Sequence, residues 1–253
     1  MNDVKHCQIF AHRGASKEAA ENTRCAFDRA LGYAIDGIET DVQLTRDEIT
    51  VLWHDRFLDK VGLPKNHIDD FNYNQLKSMQ LTSQPASAGD TAGIMSLQAF
   101  VDTYRKRCRL LIEIKNREWE STLRHEIKVR QTLNIVGPQK NDLILVSSFN
   151  LASLIYAHHY RPDILLIYNL EPENAIAETR YALAAQPFLH GFCVPVSDLD
   201  DELAGLLQSH NKCMAVYTCN SDKEISKALK CGADILISDL PQKAIQMRNA
   251  YEA

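Results

Sequence analysis

Four short segments hold most of the groups able to do acid–base or metal chemistry: His12-Arg13-Gly14, Glu39-Thr40-Asp41, His54-Asp55 and Glu113-Ile114-Lys115. On an extended strand, side chains two apart share a face, so Glu39 and Asp41 point the same way and Glu113 and Lys115 repeat the arrangement. Three carboxylates converging in a low dielectric repel one another unless protons are taken up or a cation neutralises them. A divalent metal is the economical answer. The all-oxygen set Glu39, Asp41 and Glu113 suits Mg²⁺, Ca²⁺ or Mn²⁺ better than zinc. Beside such a metal, His12 and His54 can divide the work of a base that activates an attacking oxygen and an acid that protonates a leaving one. Arg13 can clamp a pair of phosphoryl oxygens, and Lys115 can act as a point charge near the transition state.

Each fragment taken alone has a plainer reading. A strand-end histidine is commonly a hydrogen-bonded structural residue, and Glu39-x-Asp41 can be an exposed strand face paired with lysines. The combination is what points to catalysis. His158-His159 read as partners of the last carbonyls of a helix rather than as metal ligands.

The elements that must position these groups follow a regular alternation. Strand-like runs occur at Gln8–His12, Gly37–Val42, Leu110–Lys115, Leu143–Ser147, Ile164–Tyr168, Gly191–Val194, Met214–Thr218 and Ile235–Ser238. Each is followed by a helix-spaced segment: Thr23–Tyr33, Leu97–Lys106, Thr122–Leu133, Leu151–Tyr160, Ala175–Ala185, Asp201–Gln208, Lys223–Lys230 and Gln242–Asn249. Ser96 and Ser221 stand where N-caps belong, and Gly232 where a helix stops. Eight strand–helix units in series predict a parallel (β/α)8 TIM barrel, a fold in which active sites gather at the C-terminal strand ends. All four segments fall at such ends or beside them. The run Ile49–His54 breaks the alternation: only Arg46-Asp47-Glu48 separates it from the preceding strand, too short for a crossover, so it should return antiparallel as a hairpin arm. That brings His54 level with Glu39 to Asp41. The stretch 55–93 is then an insertion above the barrel, with a short helix near Asn74–Met79 and a turn-forming tail from Thr82 to Gly93.

A chain of 253 residues fits one barrel, so a single domain over 1–253 is expected. A formal net charge of −5 argues against a nucleic-acid binder, which usually carries a basic excess. Seven scattered cysteines without a Cys-x-x-Cys pair read as reduced packing residues in a reducing compartment. The N-terminal segment lacks the charged and apolar regions of a signal peptide, and no uninterrupted run of 18 apolar residues occurs, so no stable membrane insertion and a cytoplasmic location are expected.

At these residues the sequence resembles the glycerophosphodiester phosphodiesterase family. The matching stretches are Ala11-His12-Arg13-Gly14, Glu21-Asn22-Thr23, Gly37-Ile38-Glu39-Thr40-Asp41-Val42 with Thr45, His54-Asp55 with Leu58-Asp59, Ile112-Glu113-Ile114-Lys115, Ser147-Ser148-Phe149, and Gly232-Ala233-Asp234 through Ser238-Asp239. The resemblance implies a divalent cation, Mg²⁺ or Ca²⁺, on Glu39, Asp41 and Glu113, acid–base work by His12 and His54, and phosphate contacts from Arg13 and Lys115. It also implies a small glycerophosphodiester substrate, such as glycerophosphocholine or glycerophosphoethanolamine, cleaved to glycerol 3-phosphate and an alcohol, with the insertion capping the glycerol end. Tyr217 and Phe149 are candidate pocket walls. The sequence departs from the family pattern at Tyr217-Thr218, where Trp-Thr is common, and at Ile94-Met95-Ser96-Leu97-Gln98, where Ile-Pro-Thr-Leu-Glu is common. Rival readings are a lysophospholipase D-type activity, a barrel that only binds phosphate esters, and a metal-dependent hydrolase of another substrate on the same fold.

Overall fold

The computed structural model describes residues 6–79, 93–138 and 144–253. Eight parallel strands close a barrel: β1 (Gln8–His12), β2 (Gly37–Leu44), β4 (Arg109–Ile114), β5 (Ile144–Ser148), β6 (Leu165–Asn169), β7 (Gly191–Pro195), β8 (Cys213–Tyr217) and β9 (Ile235–Ser238), with β1 pairing both β9 and β2. The ninth strand, β3 (Thr50–Leu52), lies outside the ring and runs antiparallel to β2. This is the predicted TIM barrel with its hairpin. Each strand expected from sequence is present within one or two residues at each end; Leu143, the expected start of β5, lies outside the described residues.

Two apolar layers explain why these segments are strands. Phe10, Leu111, Leu145, Ile167, Cys193, Ala215, Ile235 and Ile237 fill the barrel interior. Their alternates, including Ile9, Ile38, Leu110, Ile112, Val146, Leu166, Phe192 and Val216, pack under the helices. Both faces of a parallel sheet are thus buried, as this architecture requires. Gly37 leaves room for Phe10, since a Cβ there would lie 2.5 Å from the Phe10 ring.

The helices on the outside are α1 (Arg24–Leu31), α3 (Leu97–Tyr104), α4 (Thr122–Val136), α5 (Leu151–Tyr160), α6 (Ala175–Ala185), α7 (Asp201–Ser209), α8 (Asp222–Lys230) and α9 (Pro241–Glu252); α2 (Tyr73–Lys77) lies in the insertion. Ser96 caps α3 through the Ala99 N–H, and Ser221 with Glu224 closes a capping box on α8. Thr23, expected inside the first helix, instead caps it by accepting from the Ala26 N–H. Phe27, Phe100 and Tyr104 pack α1 on α3, with ring centroids 4.7–5.3 Å apart. His159 turns its Nδ1 to the Ile155 carbonyl near the end of α5, while His158 stacks on Phe188.

After β3 the chain builds a small apolar cluster of its own from Val51, Trp53, Leu58, Ile68, Leu76 and Ile94. The expected short helix of this stretch is α2. The expected turn-forming tail lies, apart from Gly93, outside the described residues.

Candidate active site

The hairpin register sets the position of His54. Val42 pairs with Leu52, and the Trp53 N–H donates to the Asp41 carbonyl at 3.1 Å, so His54 follows level with Thr40, one step from Asp41. Around the ring, His12 pairs with Glu39 and Asp41 pairs with Glu113. The two histidines and three carboxylates therefore meet at one end of the barrel. A single cavity of about 170 Å³ reaches His12, Glu39, His54, Glu113 and Lys115.

Glu39, Asp41 and Glu113 are buried, and one oxygen from each lies within 4.8 Å of the others. Arg13 Nε stands 2.9 Å from Asp41 Oδ2, and Lys115 Nζ stands 3.0 Å from Asp41 Oδ1 and also contacts Glu113 Oε1. Asn22 donates through its side-chain amide to Asp41 Oδ2 at 3.0 Å, and the Thr40 hydroxyl donates to Asn22 Oδ1 at 2.7 Å. Burial pushes the Asp41 carboxyl up, but Lys115 and Arg13 outweigh it and hold the group well below the usual carboxylate range. Glu39 goes the other way: burial, reinforced by the Asp41 charge, raises it well above that range. Lys115 and Arg13 are both raised against the opposing effect of burial, with Asp41 the leading attractive partner.

Arg13 adopts a left-handed backbone, φ 56°, rare for a residue with a side chain. Its N–H lies 2.9 Å from the Glu39 carbonyl and 3.2 Å from Glu39 Oε2, and its guanidinium donates to Glu21 at 3.1 Å. Gly14, φ +86°, continues the turn at a place where a Cβ would lie 2.6 Å from Ala26. This packs the loop directly on α1.

Each histidine carries a carboxylate on Nδ1, leaving Nε2 for chemistry. His12 Nδ1 lies 2.6 Å from Asp239 Oδ1, with Nε2 3.8 Å from Glu39 Oε2. Asp239 also accepts from Ser16 and Asn220. Burial pushes its carboxyl up, yet these hydrogen bonds bring it down to about 2. His54 Nδ1 lies 2.9 Å from Asp55 Oδ1; Lys60 sits 2.7 Å from both Asp55 Oδ2 and Glu21 Oε1. Arg117 ties down the end of the hairpin arm by donating to the His54 and Asp55 carbonyls.

The donor set fits a hard divalent cation. Two fixed cations, Arg13 and Lys115, face three carboxylates, and Asp41 Oδ1 and Glu113 Oε1 are buried without a directed hydrogen bond although Lys115 is close. Carboxylate oxygens gathered this closely, each with a lone pair beyond the one facing Lys115, are what such an ion takes up.

The seven residues singled out from sequence thus come together, and Tyr217 and Phe149 join them on the cavity wall, their rings edge to face at 6.0 Å. The Tyr217 hydroxyl donates to the Leu170 carbonyl at 2.6 Å. Sequence reasoning gave no role to Asp239, Glu21, Asn22, Asp55 or Arg117. Four of these lie within the motif stretches, so the signal was present, but their pairing depends on which strands adjoin. Arg117 had no signal beyond its place just after a strand end.

The glycerophosphoryl diester phosphodiesterase family model matches residues 12–243. Among curated relatives, a glycerophosphodiester phosphodiesterase of Bacillus altitudinis is 30% identical over 95% of this chain and 98% of its own. One from Caldanaerobacter subterraneus is 27% identical over 94% and 96%. Among solved structures, an Oleispira antarctica phosphodiesterase in complex with the product sn-glycerol-3-phosphate superposes with a TM-score of 0.84 at 24% identity, covering 96% of each chain. The Thermotoga maritima glycerophosphodiester phosphodiesterase gives 0.76 at 24% identity over 96% of this chain and 98% of that one, so both share the fold. The chain belongs to the glycerophosphoryl diester phosphodiesterase family.

Proposed function

We propose that this protein hydrolyses small glycerophosphodiesters, such as glycerophosphocholine or glycerophosphoethanolamine, to glycerol 3-phosphate and the free alcohol. The observation that carries this reading is the meeting of two carboxylate-backed histidines with three buried carboxylates and two fixed cations around one small cavity. Family membership supplies the substrate class.

In this reading Glu39, Asp41 and Glu113 hold a divalent cation, Mg²⁺ or Ca²⁺, which when bound supplies Lewis-acid stabilisation of charge on the phosphoryl oxygens. Arg13 and Lys115 face the same phosphoryl group and offset the charge that builds on its oxygens. His12, its Nδ1 fixed by Asp239, and His54, its Nδ1 fixed by Asp55, present Nε2 to the attacking and leaving oxygens.

The protein acts in this reading as one domain, with the described part of the insertion, residues 55–79, capping the site. The ion pairs of Lys60, in that stretch, to Glu21 and Asp55 support the arrangement. A cytoplasmic location is part of the proposal; no helix among the described residues is long and apolar enough to cross a membrane.

A coupled assay for glycerol 3-phosphate, run over several glycerophosphodiesters, tests the reading. Release that a chelator abolishes and Mg²⁺ or Ca²⁺ restores is expected. Chelator-resistant release would remove the metal, and no release from any glycerophosphodiester would remove the activity.

A further inference from the structure

The cavity that reaches the catalytic groups extends round the barrel to β5, β6 and β7, where Ser147, Asn169 and Cys193 line it. Asn169 is 4% exposed and Ser147 1%. The Asn169 amide nitrogen donates to Ser147 Oγ at 3.4 Å, while its Oδ1 is buried and has no hydrogen-bond partner among the described residues. Such an oxygen is costly to leave unmade, and buried amides are ordinarily satisfied. Thr50, Thr132 and Thr179 also bury unpaired hydroxyls, but none of them lines this cavity.

An uncommitted acceptor selects its ligand by chemistry. It takes a hydrogen from a hydroxyl and repels a phosphoryl oxygen, so it cannot serve the phosphate, for which Lys115 stands two strands away and Arg13 four. Leu111, Cys193, Ile237, Phe149 and Tyr217 supply apolar surface to the same cavity, beside the charged groups already named. A short carbon chain bearing hydroxyls suits this mix.

We propose that Asn169, steadied by Ser147, reads a hydroxyl group of the substrate's glycerol moiety and thereby sets specificity for glycerol phosphates. The proposal rests on the phosphodiesterase reading for its substrate, yet binding tests it apart from turnover.

The experiment is calorimetric titration of the magnesium-loaded protein with glycerol 3-phosphate and with n-propyl phosphate, which keeps the carbon chain but lacks the hydroxyls. The native protein should bind glycerol 3-phosphate about tenfold tighter, and Asn169→Leu should lose about that factor for glycerol 3-phosphate alone. Ser147→Ala, a smaller change that guards against a misfolded Asn169→Leu, should lose about threefold, again only for glycerol 3-phosphate. Equal affinities of the native protein for the two ligands, equal losses for both in a variant, or no loss in either variant would overturn the proposal. If the native protein discriminates between the ligands as expected but releases no glycerol 3-phosphate from any diester, the hydroxyl site stands and the phosphodiesterase reading falls.

Discussion

Asp239 reaches His12 across the seam that closes the barrel: it follows β9, the last strand, and its Oδ1 lies 2.6 Å from Nδ1 of His12 at the end of β1. The carboxylate accepts from Nδ1–H, so it fixes the tautomer, orients the ring and leaves Nε2 to face the reaction. Asp239→Ala should lower kcat on glycerophosphocholine by about tenfold or more while the thermal melt keeps its cooperative shape. Unchanged turnover would reduce the contact to packing.

His12→Ala and His54→Ala should each lower turnover by about 10²-fold or more with metal affinity retained. Their responses to a good leaving group should differ. A p-nitrophenol leaving group departs without a proton, so the variant that lacks the acid regains rate on a p-nitrophenyl phosphodiester and the variant that lacks the base does not. Steady-state rates of both variants on both substrates make the assignment; recovery of both variants, or of neither, would contradict a divided role.

Glu39 and Asp41 share a strand face but are shifted in opposite directions, because Arg13 and Lys115 pair with Asp41 while burial and the Asp41 charge hold the Glu39 carboxyl up. A cation needs the carboxylate form, so metal uptake must expel the Glu39 proton through the pH range in which Glu39 binds one. Metal affinity should therefore fall as pH falls through that range. Calorimetry in buffers of different ionisation enthalpy should report proton release on Mg²⁺ binding, and the release should disappear in Glu39→Gln along with most of the affinity.

The strand periodicity in the sequence was enough to place Glu39, Asp41, Glu113 and Lys115 on one inner face, and a three-residue turn was enough to return His54 beside them. What stayed hidden depends on closure. The pairing of His12 with Asp239 joins residues 227 positions apart, and only the β1–β9 seam brings them together. Asn169 reads in sequence as one polar strand end among several, since its unpaired oxygen is a property of the packed cavity. Thr23 shows the local limit: a β-branched residue with a hydroxyl scores as helix or cap alike, and the Ala26 N–H decides for the cap.

Lys128 on α4 is fully buried, its Nζ held by both Glu120 oxygens at 2.7–2.8 Å and by the carbonyl of Lys115, so it braces the catalytic strand end from outside the barrel. Burial lowers its ammonium from 10.5 to about 8, against the pull of Glu120. Between these values the unfolded chain binds more protons than the folded one, so this residue's contribution to stability grows as pH rises from about 8 toward 10.5 and is lost again as pH falls back through 8. Denaturant melts of the native protein and of Lys128→Met at pH 7, 8, 9 and 10 isolate the effect. The stability difference should shift in favour of the native protein over that window, by at most about 3 kcal/mol, and stay flat below it. A difference that is flat throughout would mean that Lys128 stays charged in the fold and that Glu120 offsets its burial completely.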